Sequence, residues 1–410
     1  MKDKKIENIA FSKHTPSVFL VMTPFQLLCA IEAVHEFAIS DYKIVFALSR
    51  NYVVRNNQMI QMAEQMSIVY DFQYIDDISQ EDFINDKPIL KTINIKQRYK
   101  RIFIGDYPHI GLHILATLYA DNNSILLYLD DGAASVCIFS GIFKGHCYVK
   151  KYNMPKMWWD KLSWYKHIYK KEKQRVKKIF TKLKEKDICC SNCFYSIYSD
   201  IKTNNYSLCL NTFSYLSSYY KKEFQAKKMV FVVGTVMKQY AHGQHISESE
   251  LENFLESKLR EIKSKWQDVE IVYIPHGRDV NNNIHNFCET LNISYVMPDS
   301  PIEFYILKNN FYPLAIYGFG STALFTIKMI YPQTVAVNWI IDKYENGDLF
   351  SMSSKVIADY YALHGISPEY IPYSNRCNIE SMGLVSNIKY MITMFWKKMN
   401  RVFVCKMINK

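Results

Sequence analysis

Short apolar runs alternate with polar, helix-patterned stretches along this chain, and most of the runs stop abruptly at glycine, proline or an acidic pair. In the first half, Ser17–Thr23, Tyr42–Leu48, Tyr70–Ile75, Arg101–Gly105 and Ser124–Leu129 read as buried strands. Helical stretches lie between them. Pro24 opens the first, through about Phe37, at a position where a missing backbone N–H does no harm. A polar, tyrosine-rich stretch follows from Cys189 to Tyr220, with Phe194–Tyr198 strand-like, and a domain boundary is expected near residue 225. The alternation then restarts. Lys228–Val233, Val269–Ile274, Ser294–Met297, Leu314–Tyr317 and Thr334–Trp339 are the expected strands. Ser247 with Glu250 three residues later forms a capping box that opens a helix to about Lys263. Asn282–Leu291, Pro301–Lys308 and a segment ending near Ile330 read as further helices. Strand–helix repetition of this kind argues parallel sheets covered on both faces.

At 410 residues the chain exceeds one ordinary core, so two domains are expected. The boundaries read as 1–225, 226–380 and a tail over 381–410. Hydrophobic content of 49% and charged content of 22% exclude a disordered chain. The formal net charge of +11 favours anionic partners: a nucleotide-bearing substrate, an acidic membrane surface or nucleic acid. Lysines interleaved with Trp158, Trp159, Trp164, Tyr165 and Tyr169 over 144–186, and a basic amphipathic tail, suit the headgroup layer of a membrane. The tail could equally pack back on the first domain. Residues 1–17 are polar and the apolar run Val18–Met22 is too short for a signal peptide, so a cytoplasmic chain with reduced cysteines is expected. Cys189, Cys190 and Cys193 lack a second ligand pair at zinc spacing, and no metal is assigned to them.

The candidate chemistry gathers where apolar strands end. Asp130-Asp131-Gly132 places two carboxylates at the carboxyl edge of a sheet, where open α/β folds bind ligands. Adjacent carboxylates repel, so one can hold a raised pKa and act as a base, although Asp-Gly alone is ordinary turn chemistry. Pro275-His276-Gly277-Arg278 supplies a proton donor and a cation. Gly320-Ser321-Thr322 precedes a helix, whose first N–H groups suit a phosphate. Gly234-Thr235 ends a strand of the same half. Two alternating domains without a glycine-rich dinucleotide fingerprint fit an α/β fold of the GT-B type. That plan has two Rossmann-like domains facing across a cleft, here with a C-terminal amphipathic helical tail.

These motifs, in this order, resemble the acidic-acidic-Gly, His-Pro and Ser-Ser/Thr signatures of bacterial sialyltransferases, with Gly277 where the pattern usually has Pro. Val21-Met22-Thr23-Pro24-Phe25-Gln26-Leu27-Leu28 is similar to the Thr-Pro-x-Gln-Leu start of the family 52 lipooligosaccharide sialyltransferases and of related capsular and polysialic-acid enzymes. The resemblance spans about residues 17–340. It implies inverting transfer from CMP-sialic acid to a glycan acceptor such as lipooligosaccharide or a capsular saccharide, with no cofactor and no metal. It implies the acidic pair as the base, Asp130 with Asp131 orienting or tuning it, or Asp131 itself, and Glu248 or Glu250 as fallback bases of the second domain. His276 is implied as acid, and Gly234, Thr235, Pro275, Arg278, Gly320, Ser321 and Thr322 as donor-binding residues. The resemblance implies a substrate loop at Thr23 and Gln26. The expected setting is peripheral, on the inner face of the bacterial cytoplasmic membrane, and the sequence leaves a homodimer open. Two competing readings are a polysialyltransferase extending α2,8 or α2,9 chains, and a basic nucleic-acid- or membrane-binding module whose motifs are all turns. The leading reading expects no nucleic-acid partner.

Overall fold

The computed structural model describes residues 14–87, 97–107, 109–140, 174–175, 177–186, 188–198, 200–201, 207–220, 226–244, 246–279, 282–341 and 349–371. Most of the lysine- and tryptophan-rich stretch 144–186 and the tail 381–410 lie outside these residues. The chain divides into two compact units between Asn211 and Thr212. This is earlier than the boundary near 225 read from the sequence, because helix Ser214–Tyr220 packs into the second unit, with the Tyr220 and Phe304 rings edge to face at 5.1 Å.

The first unit is built on seven parallel strands: β1 Ser17–Val21, β2 Tyr42–Leu48, β3 Tyr70–Tyr74, β4 Tyr99–Ile104, β5 Ala120–Leu129, β6 Cys189–Ser196 and β7 Ser207–Leu210. Their order is β3-β2-β1-β4-β5-β6-β7. All five residues of β1 are buried, the pattern of a central parallel strand covered on both faces. Helix α1, Pro24–Glu36, leaves β1 with Thr23 as N-cap and Pro24 in its first turn. A buried arginine, Arg101, stands at the amino end of β4 and donates to Ser17 Oγ at 2.7 Å and to Thr15 O at 3.2 Å. Burial lowers its pKa to about 10, and its bonds to the residues that lead into β1 hold the entry of that strand.

The second unit is a six-stranded sheet, all parallel, of β8 Lys227–Val233, β9 Glu270–Ile274, β10 Ser294–Tyr295, β11 Phe311–Gly318, β12 Val335–Ile341 and β13 Ser367–Ile371. Its order is β10-β9-β8-β11-β12-β13, the doubly wound Rossmann order 3-2-1-4-5-6. The capping box of Ser247 and Glu250 is present in both halves and opens α2, Glu248–Lys265. Leu251, Leu255, Leu259 and Ile262 of α2 recur on one helix face and join Val230, Val232, Ile271 and Trp339 in the core. Helix α3, Leu349–Leu363, and β13 close the unit, and neither stands among the sequence expectations.

In each sheet the strand order reverses beside the first strand of the unit, between β1 and β4 and between β8 and β11. Right-handed crossovers then send successive helices to opposite faces, leaving a crevice at the carboxyl ends of those strands. Among the described residues no helix is long and apolar enough to cross a membrane.

Candidate functional site

The carboxyl edge of the first unit collects Met22–Pro24 after β1, Gly105–Tyr107 after β4 and Asp130–Gly132 after β5. Asp130 and Asp131 lie side by side in sequence but in different environments. Asp130 is fully buried. Its Oδ1 accepts from Ser196 Oγ at 2.7 Å and its Oδ2 from the Ile197 N–H at 2.6 Å. Burial pushes its pKa up to about 6, against the hydrogen bonds from Ser196, Ile197 and Ser135, which pull it down. With both oxygens engaged by Ser196 and Ile197, Asp130 has the geometry of a tie between β5 and the end of β6. Asp131 is half-buried at the edge.

Gln26 explains how Asp131 is held. Its Nε2 donates to Asp131 Oδ1 at 2.7 Å, and its Oε1 accepts the Met22 N–H at 2.7 Å. Gln26 is fully buried, and Thr23 Oγ1 accepts the Gln26 N–H at 3.2 Å as a helix cap. Of the expected substrate loop, Gln26 is thus a bracket for Asp131, and Thr23, half-buried, caps the helix that carries it. Gly105 makes room for it: a Cβ there would stand 2.2 Å from Gln26 Oε1. Gly132 takes φ +70 and turns the chain away from the sheet.

At the carboxyl edge of the second unit, β9 and β11 flank β8, so the ends carrying His276 and Ser321 are about 10 Å apart. His276 is half-buried; burial, helped by the nearby Arg278 charge, lowers its pKa to about 4. Its Nδ1 accepts the Arg278 N–H at 3.2 Å, which leaves the proton of the neutral ring on Nε2. Arg278 itself is exposed. Two of the phosphate-binding groups expected at Gly320-Ser321-Thr322 are already engaged. The Gly320 N–H donates to Asn338 Oδ1 at 2.6 Å, and Ser321 Oγ accepts from the Ala323 N–H at 3.3 Å as N-cap of helix Thr322–Ile330. An anion there would draw on the helix end and exchange with these partners. Gly234 answers a packing need: a Cβ would lie 2.4 Å from Tyr273 Oη and 3.2 Å from Pro275 Cα.

Thr235 and Gly320 line a cavity of about 210 Å³, together with Tyr240, Phe319, Trp339 and Ser354. Ligand cavities typically run from ~300 Å³, so this one is smaller than a usual ligand site. His276, Arg278, Ser321 and Thr322 do not line it.

Glu250 is absorbed by its capping box, its Oε2 accepting from the Ser247 N–H at 2.8 Å and from Ser247 Oγ at 2.7 Å. Glu248 is exposed on the same first turn. The perturbed carboxyl of this edge is Asp279, which sequence reasoning missed. Its pKa is raised to about 6 by burial, against the Met237 N–H, with Glu248 and Glu252 adding repulsion. Asp106 and Asn338 were missed as well. Both carried a signal: Gly105-Asp106 repeats the strand-then-carboxylate pattern, and Asn338 is an amide inside the apolar run Val335–Ile341. Among the described residues no group of three or more His, Cys, Asp or Glu side chains is placed to hold a metal ion.

No family model and no curated protein matches the chain. Among solved structures it is similar to the α/β-galactoside α-2,3-sialyltransferase of the luminous marine bacterium Photobacterium phosphoreum, at 11% identity over 87% of this chain and 98% of that one, with a TM-score of 0.43. It is similar to the GT-B domain of a Photobacterium damselae sialyltransferase at 12% identity, 87% and 100% coverage and a TM-score of 0.40. It is also similar to a putative UDP-N-acetylglucosamine 2-epimerase of Listeria monocytogenes at 10% identity, 94% and 97% coverage and a TM-score of 0.41. Likenesses this distant carry no argument between transfer and epimerisation.

Proposed function

We propose that the chain is an inverting, metal-independent sialyltransferase that moves sialic acid from CMP-sialic acid to a terminal sugar, galactose first, of a bacterial surface glycan such as lipooligosaccharide or capsule. One observation carries the reading. The Gln26–Asp131 hydrogen bond joins the Thr-Pro-x-Gln and Asp-Asp-Gly motifs across 105 positions, and a shared turn would give no reason for that bond.

In this reading Asp131, not Asp130, is the base. It takes the proton of the acceptor hydroxyl while that oxygen bonds to the anomeric carbon. The bond from that carbon to the phosphate oxygen breaks, and CMP leaves with the electron pair. The second unit neutralises the departing phosphate through the His276 Nε2–H, the Arg278 guanidinium and the helix start at Ser321-Thr322. A phosphate beside His276 would raise its lowered pKa and let it pass a proton to CMP. CMP is a good leaving group, so no metal enters the proposal. Peripheral attachment to the inner face of the cytoplasmic membrane, through the basic aromatic segments, is part of the same proposal. Asp279 supports a second assignment of the base, since its carboxyl lies at the edge of the second unit with its pKa near 6.

The test is a melting comparison with CMP, UDP and GDP, followed by turnover of CMP-sialic acid in chelator with a galactose-terminated acceptor. CMP should stabilise most, and transfer should persist in chelator. Turnover of a different nucleotide sugar, with CMP-sialic acid untouched, would overturn the assignment.

A further inference from the structure

Among the described residues at the edge of the first unit, Asp106 is a group whose chemistry the roles above leave open. It follows Gly105 directly at the end of β4, and continuing the register of β4 with β1 and β5 sets it level with Met22 and Asp130. It is only 8% exposed, and its Oδ1 is buried without a hydrogen-bond partner. Buried carboxylate oxygens are almost always satisfied, so an unmade bond at a sheet's switch point marks a donor that arrives from outside. The surroundings say what kind of donor. Arg50 is the cation of the neighbouring strand end, and it is taken: its N–H donates to Asp76 and its guanidinium grips Asp77 at 2.7 and 3.0 Å. The described residues that follow β1, β4, β5 and β6 include Asp106 and Asp131 but no lysine or arginine.

We infer that this edge takes a neutral sugar, with Asp106 accepting hydrogen bonds from acceptor hydroxyls beside the one that Asp131 deprotonates. A carboxylate has about four acceptor sites and no donor, which suits a diol and repels a sialylated, anionic chain end. The inference rests on the transfer reading and narrows it: the acceptor end is an uncharged saccharide, and the polysialic alternative is disfavoured.

The experiment compares wild type, Asp106→Ala and Asp106→Asn by saturation-transfer NMR with lactose and with oligosialic acid, alongside melting with and without CMP. Wild type should bind lactose and give no signal with oligosialic acid. Asp106→Ala should weaken lactose about 10- to 100-fold, the range for losing a hydrogen bond to a charged group. Asp106→Asn, which keeps one acceptor and the shape, should fall between and carries the test if the alanine variant does not fold. The CMP-induced melting shift should be equal in all three. Equal lactose binding in wild type and Asp106→Ala, or stronger binding of oligosialic acid than of lactose, overturns the inference. So does a calcium- or magnesium-induced stabilisation that Asp106→Ala removes while lactose binding stays, since that would make Asp106 a cation ligand. Wild type without any CMP shift would sink the sialyltransferase reading, while the lactose comparison still judges Asp106.

Discussion

Replacing each of the paired aspartates by asparagine should give opposite results, and the size of the difference follows from their surroundings. Asp130 has its pKa near 6 in the folded chain against an ordinary 3.8. A carboxyl with a raised folded-state pKa is protonated more readily in the native state, so its ionisation works against folding. That penalty is absent below about pH 4, grows as pH rises through 6, and reaches about 3 kcal/mol above it. Asparagine mimics the protonated form. Its Oδ1 can keep the Ile197 N–H, and its amide can donate to Ser196 Oγ, which already accepts the Tyr198 N–H at 3.0 Å and can turn its own hydrogen away. Asp130→Asn should therefore fold, stay active, and gain up to about 3 kcal/mol at pH 8. For a domain of 150–250 residues that is roughly 6–12 °C in melting temperature, vanishing by pH 4. Asp131→Asn should melt like wild type and lose transfer by 100-fold or more, the scale of removing a general base. Calorimetry at pH 4, 6 and 8, with initial rates for both variants, decides it. A folded Asp130→Asn as inactive as Asp131→Asn would refute the reasoning and return the base to the buried residue.

Three further outcomes follow from the same geometry. Gly105→Ala should displace Gln26 from its 2.2 Å conflict, freeing Asp131 and lowering kcat about tenfold or more while the donor KM holds; rates with varied CMP-sialic acid check it. His276, lowered to about 4, should titrate near that value by NMR in the free protein and shift upward when CMP is added. With its folded pKa below the unfolded one, its share of stability is complete above pH 6.5 and is lost as pH falls towards 4. Asn338→Ala should free for an incoming phosphate the Gly320 N–H that Asn338 holds at 2.6 Å, tightening CMP several-fold in calorimetry without changing lactose binding.

The two sheets were legible because the part of a parallel strand that is covered on both faces is apolar, and β1 with the buried carboxyl-terminal parts of β2, β5, β8 and β9 stand out as such runs. The site was legible only as far as strand ends. Asp130 and Asp131 are indistinguishable in sequence, because what separates them is supplied by Ser196 and Ile197, 66 and 67 positions away, and by Gln26, 105 positions away. Gln26 itself looked like a loop residue that meets substrate, since a polar side chain after a strand gives no sign of whether its partner is a ligand or the fold. Helix α3 was missed although Ser353, Ser354 and Ile357 line the cavity of the second unit. Its mixed run of serines, tyrosines and alanines lacks the sharp apolar face that marks α2. Asp106 shows the converse. Its sequence pattern was the same as that of Asp130, but only the absence of a partner for Oδ1 turns a strand-end carboxylate into a place where a sugar hydroxyl belongs. At this edge function follows from which hydrogen bonds the fold completes and which it leaves open, and those are set by residues far apart in the chain.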